Sequence, residues 1–244
     1  MGTAANILVG CCGWQQARAR YFEQFPVIEL QDPFYQPPSV ELAAKWRREA
    51  PARFRFSLKA WQLITHAASS PTYRRLKEKP AADRLAACGF FRRTPEVAGA
   101  WQRTLAVARE LAAEAIVFQC PASFTETSAN LANLDSFFTQ ADRDGRLFAW
   151  EPRGPWHADV VRTVCERLDL VHCVDPFLAE PLAGQAVYVR LHGRGSYHYR
   201  YTEQDLSDLL RKVLRWRSEG RAPIYVMFNN TAMKEDAARF QALL

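Results

Sequence analysis

The sequence predicts one closed (β/α)₈ barrel of the TIM type, slightly irregular, as a single domain over residues 1–244. Three observations carry that expectation. Eight short β-rich apolar runs recur from end to end; most are near-continuous rather than alternating, as in parallel strands covered on both faces; and helical patterns separate many of them. A doubly wound open sheet is the runner-up.

The eight runs are Ile7–Gly10, Val27–Leu30, Phe54–Lys59, Ala115–Gln119, Leu147–Glu151, Leu170–Asp175, Val187–His192 and Ile224–Asn229. Only Gln15 to Gln24 separate the first two, so any first helix is short. Ser39 is placed to cap a helix over 40–50, with Pro51 closing it. Pro95 opens a helix over 96–114, where Val97, Trp101, Leu105, Ala108 and Leu111 recur at helical spacing. Residues 130–141 and 158–168 read as two more helices. Thr202 with Asp205 forms a capping-box pattern before 206–218, which Gly220 stops, and 235–244 make the last helix. Pro176 to Gly184 is too short for a full helix, whereas residues 65–94, basic and proline-punctuated, read as an insertion or lid above the barrel.

Of the residues, 48% are hydrophobic and 24% charged, ample for one sizeable core and against disorder. The amino-terminal residues have no basic region followed by an apolar stretch, and no apolar run approaches the ~20 residues of a membrane span. A cytosolic protein away from membranes is expected. Cysteines stand at 11, 12, 88, 120, 165 and 173 without a CxxC pair. The adjacent Cys11–Cys12 suit neither an ordinary bridge nor a zinc knuckle, and Cys120, Cys165 and Cys173 read as reduced core residues. The formal net charge of +6 is compatible with acidic partners but is explained mostly by solvated helix faces.

The informative feature is positional. Most strand runs are apolar until their last residues and then carry strong chemistry: Glu29, Lys59, Gln119, Glu151 with Arg153, Asp175, Arg190 with His192, and Asn229 with Asn230. Parallel barrel strands end on one face, where barrel enzymes build their sites. Period-two alternation puts Arg190 and His192 on one side of their strand. Three acidic and three basic groups make a nearly neutral mouth, and any one of them alone is as readily a strand-end salt bridge. Trp14, Tyr35, Trp61, Phe124, Trp156 and Tyr197 follow strand ends and either wall a pocket or pack over the rim. The amides of Gly193-Arg194-Gly195 are candidates for an anion. His66 and His157 lie in loops, whereas His172 inside a strand reads as a core histidine. The chain has no P-loop, GxGxxG, GxSxG or HExxH.

Gly10-Cys11-Cys12-Gly13-Trp14, Glu29 to Tyr35, Phe56 to Ala60, Ile64-Thr65-His66, Phe118 to Phe124, Glu151 to Trp156, Tyr188 to Gly193 and Phe228-Asn229-Asn230 together resemble the YecE-like family, a domain of unknown function (DUF72). The match runs in order from about residue 7 to the end. The resemblance implies a TIM-type barrel and brings no settled reaction. It makes Glu29, Tyr35, Lys59, His66, Gln119, Glu151, Arg153, Trp156, Asp175, Arg190, His192, Gly193 and Asn229 the characteristic mouth residues. The chain departs from the family pattern at Cys11–Cys12, usually Thr-Ser, at Gly154, often His, and after Asn230, where a glycine is usual.

These residues predict an enzyme acting on a small anionic or polyhydroxylated substrate. Lys59, Arg153 and Arg190 would bind a carboxylate or phosphate. Glu29 or Glu151 would be general base or acid, His192 would shuttle a proton, and Gln119 and Asn229 would orient hydroxyls. A divalent-metal version would use Glu29, Glu151, Asp175 and His192, with the basic residues competing for the carboxylates. A non-catalytic nucleic-acid or nucleotide-binding module, gripping phosphates through Arg74, Arg75, Lys77, Arg92 and Arg93, is the remaining alternative.

Overall fold

In a computed structural model of the protein, which describes residues 7–244, eight parallel strands close into a barrel in sequence order. They are β1 (Ile7–Cys12), β2 (Val27–Leu30), β3 (Arg55–Lys59), β4 (Ala115–Gln119), β5 (Leu147–Glu151), β6 (Val171–Val174), β7 (Val187–Leu191) and β8 (Ile224–Phe228), each within about two residues of its apolar run. β8 pairs with β1, Ile7 opposite Ile224 and Cys11 opposite Phe228, and this ladder closes the ring.

Ten α-helices accompany the strands among the described residues: α1 (Arg18–Gln24), α2 (Asp32–Tyr35), α3 (Val40–Glu49), α4 (Gln62–Thr65), α5 (Ala82–Ala86), α6 (Pro95–Glu110), α7 (Ser128–Gln140), α8 (Ala158–Arg167), α9 (Glu203–Ser218) and α10 (Met233–Gln241). Local chemistry sets the ends of the longer ones. The Ser39 hydroxyl accepts the Leu42 N–H at the start of α3, and Thr94 accepts the Val97 N–H ahead of Pro95 in α6. Thr202 and Asp205 form the expected capping box of α9. β6 and β7 are joined without a helix, as the short Pro176–Gly184 connection requires. No described helix is long and apolar enough to cross a membrane.

Strand alternation divides the core. Ile7, Val9, Cys11, Phe118, Phe148, Trp150, Val189 and Phe228 face the helices, whereas Leu8, Cys12, Val117, Ala149, Cys173, Tyr188, Tyr225 and Met227 fill the barrel. Adjacent Cys11 and Cys12 thus lie on opposite sides of β1. All six cysteines are free and buried, and burial raises the Cys11 thiol to about 12.

The segment expected as an insertion or lid, residues 65–94, carries a 3₁₀ turn (Pro71–Arg75) and α5 between β3 and the barrel helix α6. It packs at the mouth end of the barrel, against the chain that follows β2. The Arg75 guanidinium lies 3.6 Å from the Tyr35 ring centroid, and the Glu78 N–H reaches Gln36 Oε1 at 3.3 Å. The Tyr73 hydroxyl donates to the His66 carbonyl at 2.8 Å.

Candidate active site at the barrel mouth

Arg190 is the centre of the mouth. It enters from β7 on the interior side, and its residue is fully buried. Nε and Nη2 reach the Glu29 carboxylate at 3.1 and 2.9 Å, and Nη1 reaches Glu151 at 2.5 Å and Gln119 Oε1 at 3.3 Å. A guanidinium therefore stands between the two carboxylates, its donor fork satisfied on both sides. Glu29 also accepts from the Tyr188 hydroxyl at 2.8 Å and from the Gln31 amide. Burial and the nearby Glu29 charge push the Tyr188 phenol far above its usual range, so it stays a donor.

Glu151 continues the network outward. Its second oxygen accepts from Arg153 Nε at 2.7 Å. Burial alone would raise the Glu151 carboxyl, but Arg190 and Arg153 outweigh it and hold the carboxyl at about 2. The outer face of Arg153 meets His192 Nε2 at 2.5 Å. An arginine only donates, so in this contact that nitrogen accepts. Nδ1 faces Asp175 Oδ2 at 3.5 Å, and the same oxygen accepts the His192 backbone N–H at 2.9 Å. Asp175 thus fixes the chain at His192 and lies beside its ring.

Lys59 is bound differently. Its side chain enters from the end of β3 and only 6% of the residue is exposed. Its Nζ lies 3.8 Å from the Phe34 ring centroid, and it takes part in no ion pair among the described residues. Burial and then the Arg190 charge lower its amine to about 7, against the opposing pull of Glu29 and Glu151. Phe34 meets His66 edge-on at 4.9 Å, and burial, then Lys59 and Arg153, push His66 down to about 3. His66 is therefore a neutral ring, its Nδ1 2.8 Å from the Thr65 hydroxyl.

A cavity of about 490 Å³ opens between the loops after β5, β6 and β7. Glu151, Arg153, Asp175 and His192 line it, with Leu178 and Tyr197 at its rim, 85% and 51% exposed. Two other hollows, about 680 Å³ at the amino-terminal end of the barrel and about 440 Å³ beside α6 and α7, lie away from these charges. The chemistry favours the first as the site.

Several sequence expectations need correction. Arg190 directs its donors at Glu29, Glu151 and Gln119. Gln119 spends its carbonyl oxygen in the same frame. Glu151 pairs with Arg190 and Arg153, which hold its carboxyl at about 2 against the effect of burial. The Gly193 amide already donates to the Tyr201 hydroxyl at 2.8 Å, so it does not hold an anion; its φ of +84°, with Ser196 O only 2.1 Å from where a Cβ would stand, makes it a tight-turn glycine. Trp156 donates its indole N–H to the Phe124 carbonyl at 2.8 Å and packs edge-on against Trp150, so it is rim packing. Tyr35 lies under Arg75, and its carbonyl accepts from the Trp61 and Gln62 side chains.

Asn229 follows the interior positions Tyr225 and Met227 of β8, whereas buried Asn230 ties the Tyr199 carbonyl to Asp236. His172 is a core histidine, its Nδ1 accepting the Leu182 N–H at 3.2 Å. Gly154 is needed for a close approach: a Cβ there would meet the Phe124 carbonyl oxygen at 2.4 Å. Phe34, Tyr188 and Gln31 were missed as site residues. Tyr188 was within reach of the sequence, since it lies two residues before Arg190 on the same face of β7, whereas Gln31 follows the end of β2.

Eight parallel strands closed into a ring, with a connected set of charges buried at their ends beside an open cavity, define a TIM-type barrel. The chain belongs to the DUF72 family, described as proteins of unknown function, whose profile matches residues 8–244. No curated protein matches it in sequence. Among solved structures it is similar to a DUF72 family protein from Enterococcus faecalis, with 21% identity and a TM-score of 0.73 over 97% of this chain and 96% of that one. A DUF72 family protein from Thermotoga maritima gives 18% identity and a TM-score of 0.66 over 97% and 98%. A xylose isomerase domain containing protein from Salmonella typhimurium gives 12% identity and a TM-score of 0.62 over 100% and 97%, a likeness of fold alone.

Proposed function

We propose that this barrel is an enzyme that binds a small anionic or polyhydroxylated molecule, carrying a carboxylate or phosphate, at the mouth and acts on it by proton transfer. The observation that carries this reading is the cavity at the strand ends, lined by Glu151, Arg153, Asp175 and His192. Lys59 adds a cation buried at the same strand ends without an ion-pair partner among the described residues. Arg153, whose side chain is 33% exposed, supplies the cation facing the cavity. His192 meets Arg153 through Nε2, and Asp175 lies beside its ring. Asn229 remains available to orient a hydroxyl.

The divalent-metal alternative gains no support from this geometry, because a guanidinium fills the space between Glu29 and Glu151 where a cation would sit. The nucleic-acid alternative is weakened at the basic segment. Arg75 is stacked on Tyr35, and Arg92 is spent on the Ala86 and Cys88 carbonyls. Six reduced cysteines suit the cytosol.

A thermal-shift screen with sugar phosphates, carboxylic acids, polyols, nucleotides, oligonucleotides and divalent metals tests the reading. A ligand at 100 times its Kd stabilises the native state by about 2.7 kcal/mol. The expected result is a shift from one class of small anions or polyols that Arg153→Ala abolishes and Arg74→Ala leaves intact. A salt-sensitive shift from oligonucleotides alone, lost on neutralising Arg74, would replace this reading with the binding module.

A further inference from the structure

Two apolar side chains stand exposed at the edge of the charged cavity. Leu178 is the most exposed large apolar residue among the described ones, and Tyr197 is the next. Both line the cavity whose charged walls are Glu151, Arg153, Asp175 and His192. None of the other exposed large apolar residues among the described ones lines it. Backbone hydrogen bonds hold the two in place. The Asp175 carbonyl accepts the Leu178 and Ala179 N–H groups at 2.9 and 3.1 Å, and Asp175 Oδ1 accepts the Phe177 N–H at 3.0 Å. Leu178 therefore rides on a turn built from a wall of the cavity. The Tyr197 carbonyl accepts both the N–H and the hydroxyl of Thr231, each at 2.7 Å, which ties it to the chain after β8. The Tyr197 ring stands at 83° to the His192 imidazole, with the centroids 5.8 Å apart.

The polar walls decide which charge would accompany an apolar group here. The Asp175 oxygens accept the Phe177 and His192 N–H groups, and the Glu151 oxygens accept from Arg190 and Arg153. Arg153 gives Nε to Glu151 and Nη2 to His192, whereas its Nη1 has no acceptor among the described residues. The carboxylates are engaged and the spare donor belongs to a guanidinium, which suits an anion.

We infer that the ligand of this cavity is an organic anion with a flat apolar group, its carboxylate or phosphate on Arg153 and its ring against Leu178 and Tyr197. The inference rests on the reading of the mouth as a site for small anions and adds to it the apolar half of the ligand. Covering Leu178 and one side of Tyr197 removes apolar surface from water, and a tyrosine ring receives a second ring offset or edge-on. A cavity of about 490 Å³ is of the size that small organic ligands occupy. Simple anions leave both side chains wet and bind more weakly.

The test is isothermal titration calorimetry with two pairs matched in their anionic group: phenyl phosphate against methyl phosphate, and phenylacetate against acetate. The expected result is that the phenyl member of at least one pair binds at least roughly tenfold tighter. Leu178→Ser and Tyr197→Ser should each cut that preference at least about threefold and leave the smaller member unchanged, whereas Arg153→Ala should weaken both members. Both rim side chains lie outside the core, and unchanged circular dichroism and Tm of the two serine variants confirm their folding. Equal, Arg153-dependent affinity within each pair would overturn the apolar half alone and leave the anion site standing. A preference that survives both serine substitutions would overturn the assignment to Leu178 and Tyr197. A dimer in solution that Leu178→Ser dissociates would put a second copy of the chain on these side chains and overturn the ligand. No Arg153-dependent binding of any of the four would overturn both readings.

Discussion

Replacing Arg190 by Met, a side chain of similar reach without charge, strips the common partner from two carboxylates that are 0% and 5% exposed. At 2.9 Å and an effective dielectric of 20, a single such pair has a Coulomb energy of about 6 kcal/mol, most of which offsets the desolvation of its members. Glu151 keeps Arg153 after the change, whereas Glu29 keeps only the Tyr188 hydroxyl and the Gln31 amide. The stranded charge on Glu29 therefore dominates, and the expected loss at pH 7 is about 3–5 kcal/mol. For a chain of this length that corresponds to a fall in Tm on the order of 6–20 °C. The assay is urea unfolding of Arg190→Met followed by fluorescence and circular dichroism, at pH 7 and pH 5. Stripped of its only ion-pair partner and buried, the Glu29 carboxyl of the variant takes up a proton more readily in the native state than in the unfolded chain. The gap to wild type should therefore narrow as pH falls. Adding Glu29→Gln and Glu151→Gln should restore at least half of the loss. An Arg190→Met protein within about 1 kcal/mol of wild type at pH 7, or a gap that does not narrow, would refute the description of Arg190 as the frame of the mouth.

Lys59 and His172 make two further predictions. Lys59, lowered from 10.5 to about 7, is neutral in the native state over a range where the unfolded chain is protonated, so stability should rise with pH between about 7 and 10.5. Lys59→Met should flatten that rise, by up to ~1.4 kcal/mol per pH unit, and parallel curves for the two proteins in urea unfolding would contradict the low value. Burial lowers His172 from 6.5 to about 4, so its stabilising contribution is full above pH 6.5 and is lost as pH falls toward 4. His172→Asn, which retains an acceptor for the Leu182 N–H, should lose less stability than wild type between pH 6.5 and 4 in the same assay.

Strand positions and their common polar end were legible because two strong constraints act on them. Parallel strands covered on both faces must be apolar throughout, and closing the ring leaves their carboxyl ends together. The fate of each polar group was not legible, because it depends on lateral distances across the ring that sequence spacing does not contain. Arg190 and Lys59 look alike in sequence, each a cation near the end of an apolar run. In the barrel, Arg190 lies between Glu29 and Glu151, whereas Lys59 meets the Phe34 ring from the short α2. The Gly193 amide is taken by the Tyr201 hydroxyl, which the chain entering α9 places beside it, a contact that sequence spacing does not contain.

The division of labour between those two cations follows from their chemistry. An arginine has donors on three nitrogens and does not lose its proton, so Arg190 can bridge two carboxylates and a glutamine while keeping its charge. That permanent charge holds Glu151 ionised and adds to burial, the larger cause, in lowering the Lys59 amine. A lysine at 190 would offer one nitrogen to the same acceptors, and an arginine at 59 would stay charged whatever its surroundings. Exchanging the two residues would conserve the net charge and undo this arrangement. The arginine and its glutamates form the fixed frame of the mouth, beside which Lys59 stays buried against Phe34 without an ion pair among the described residues.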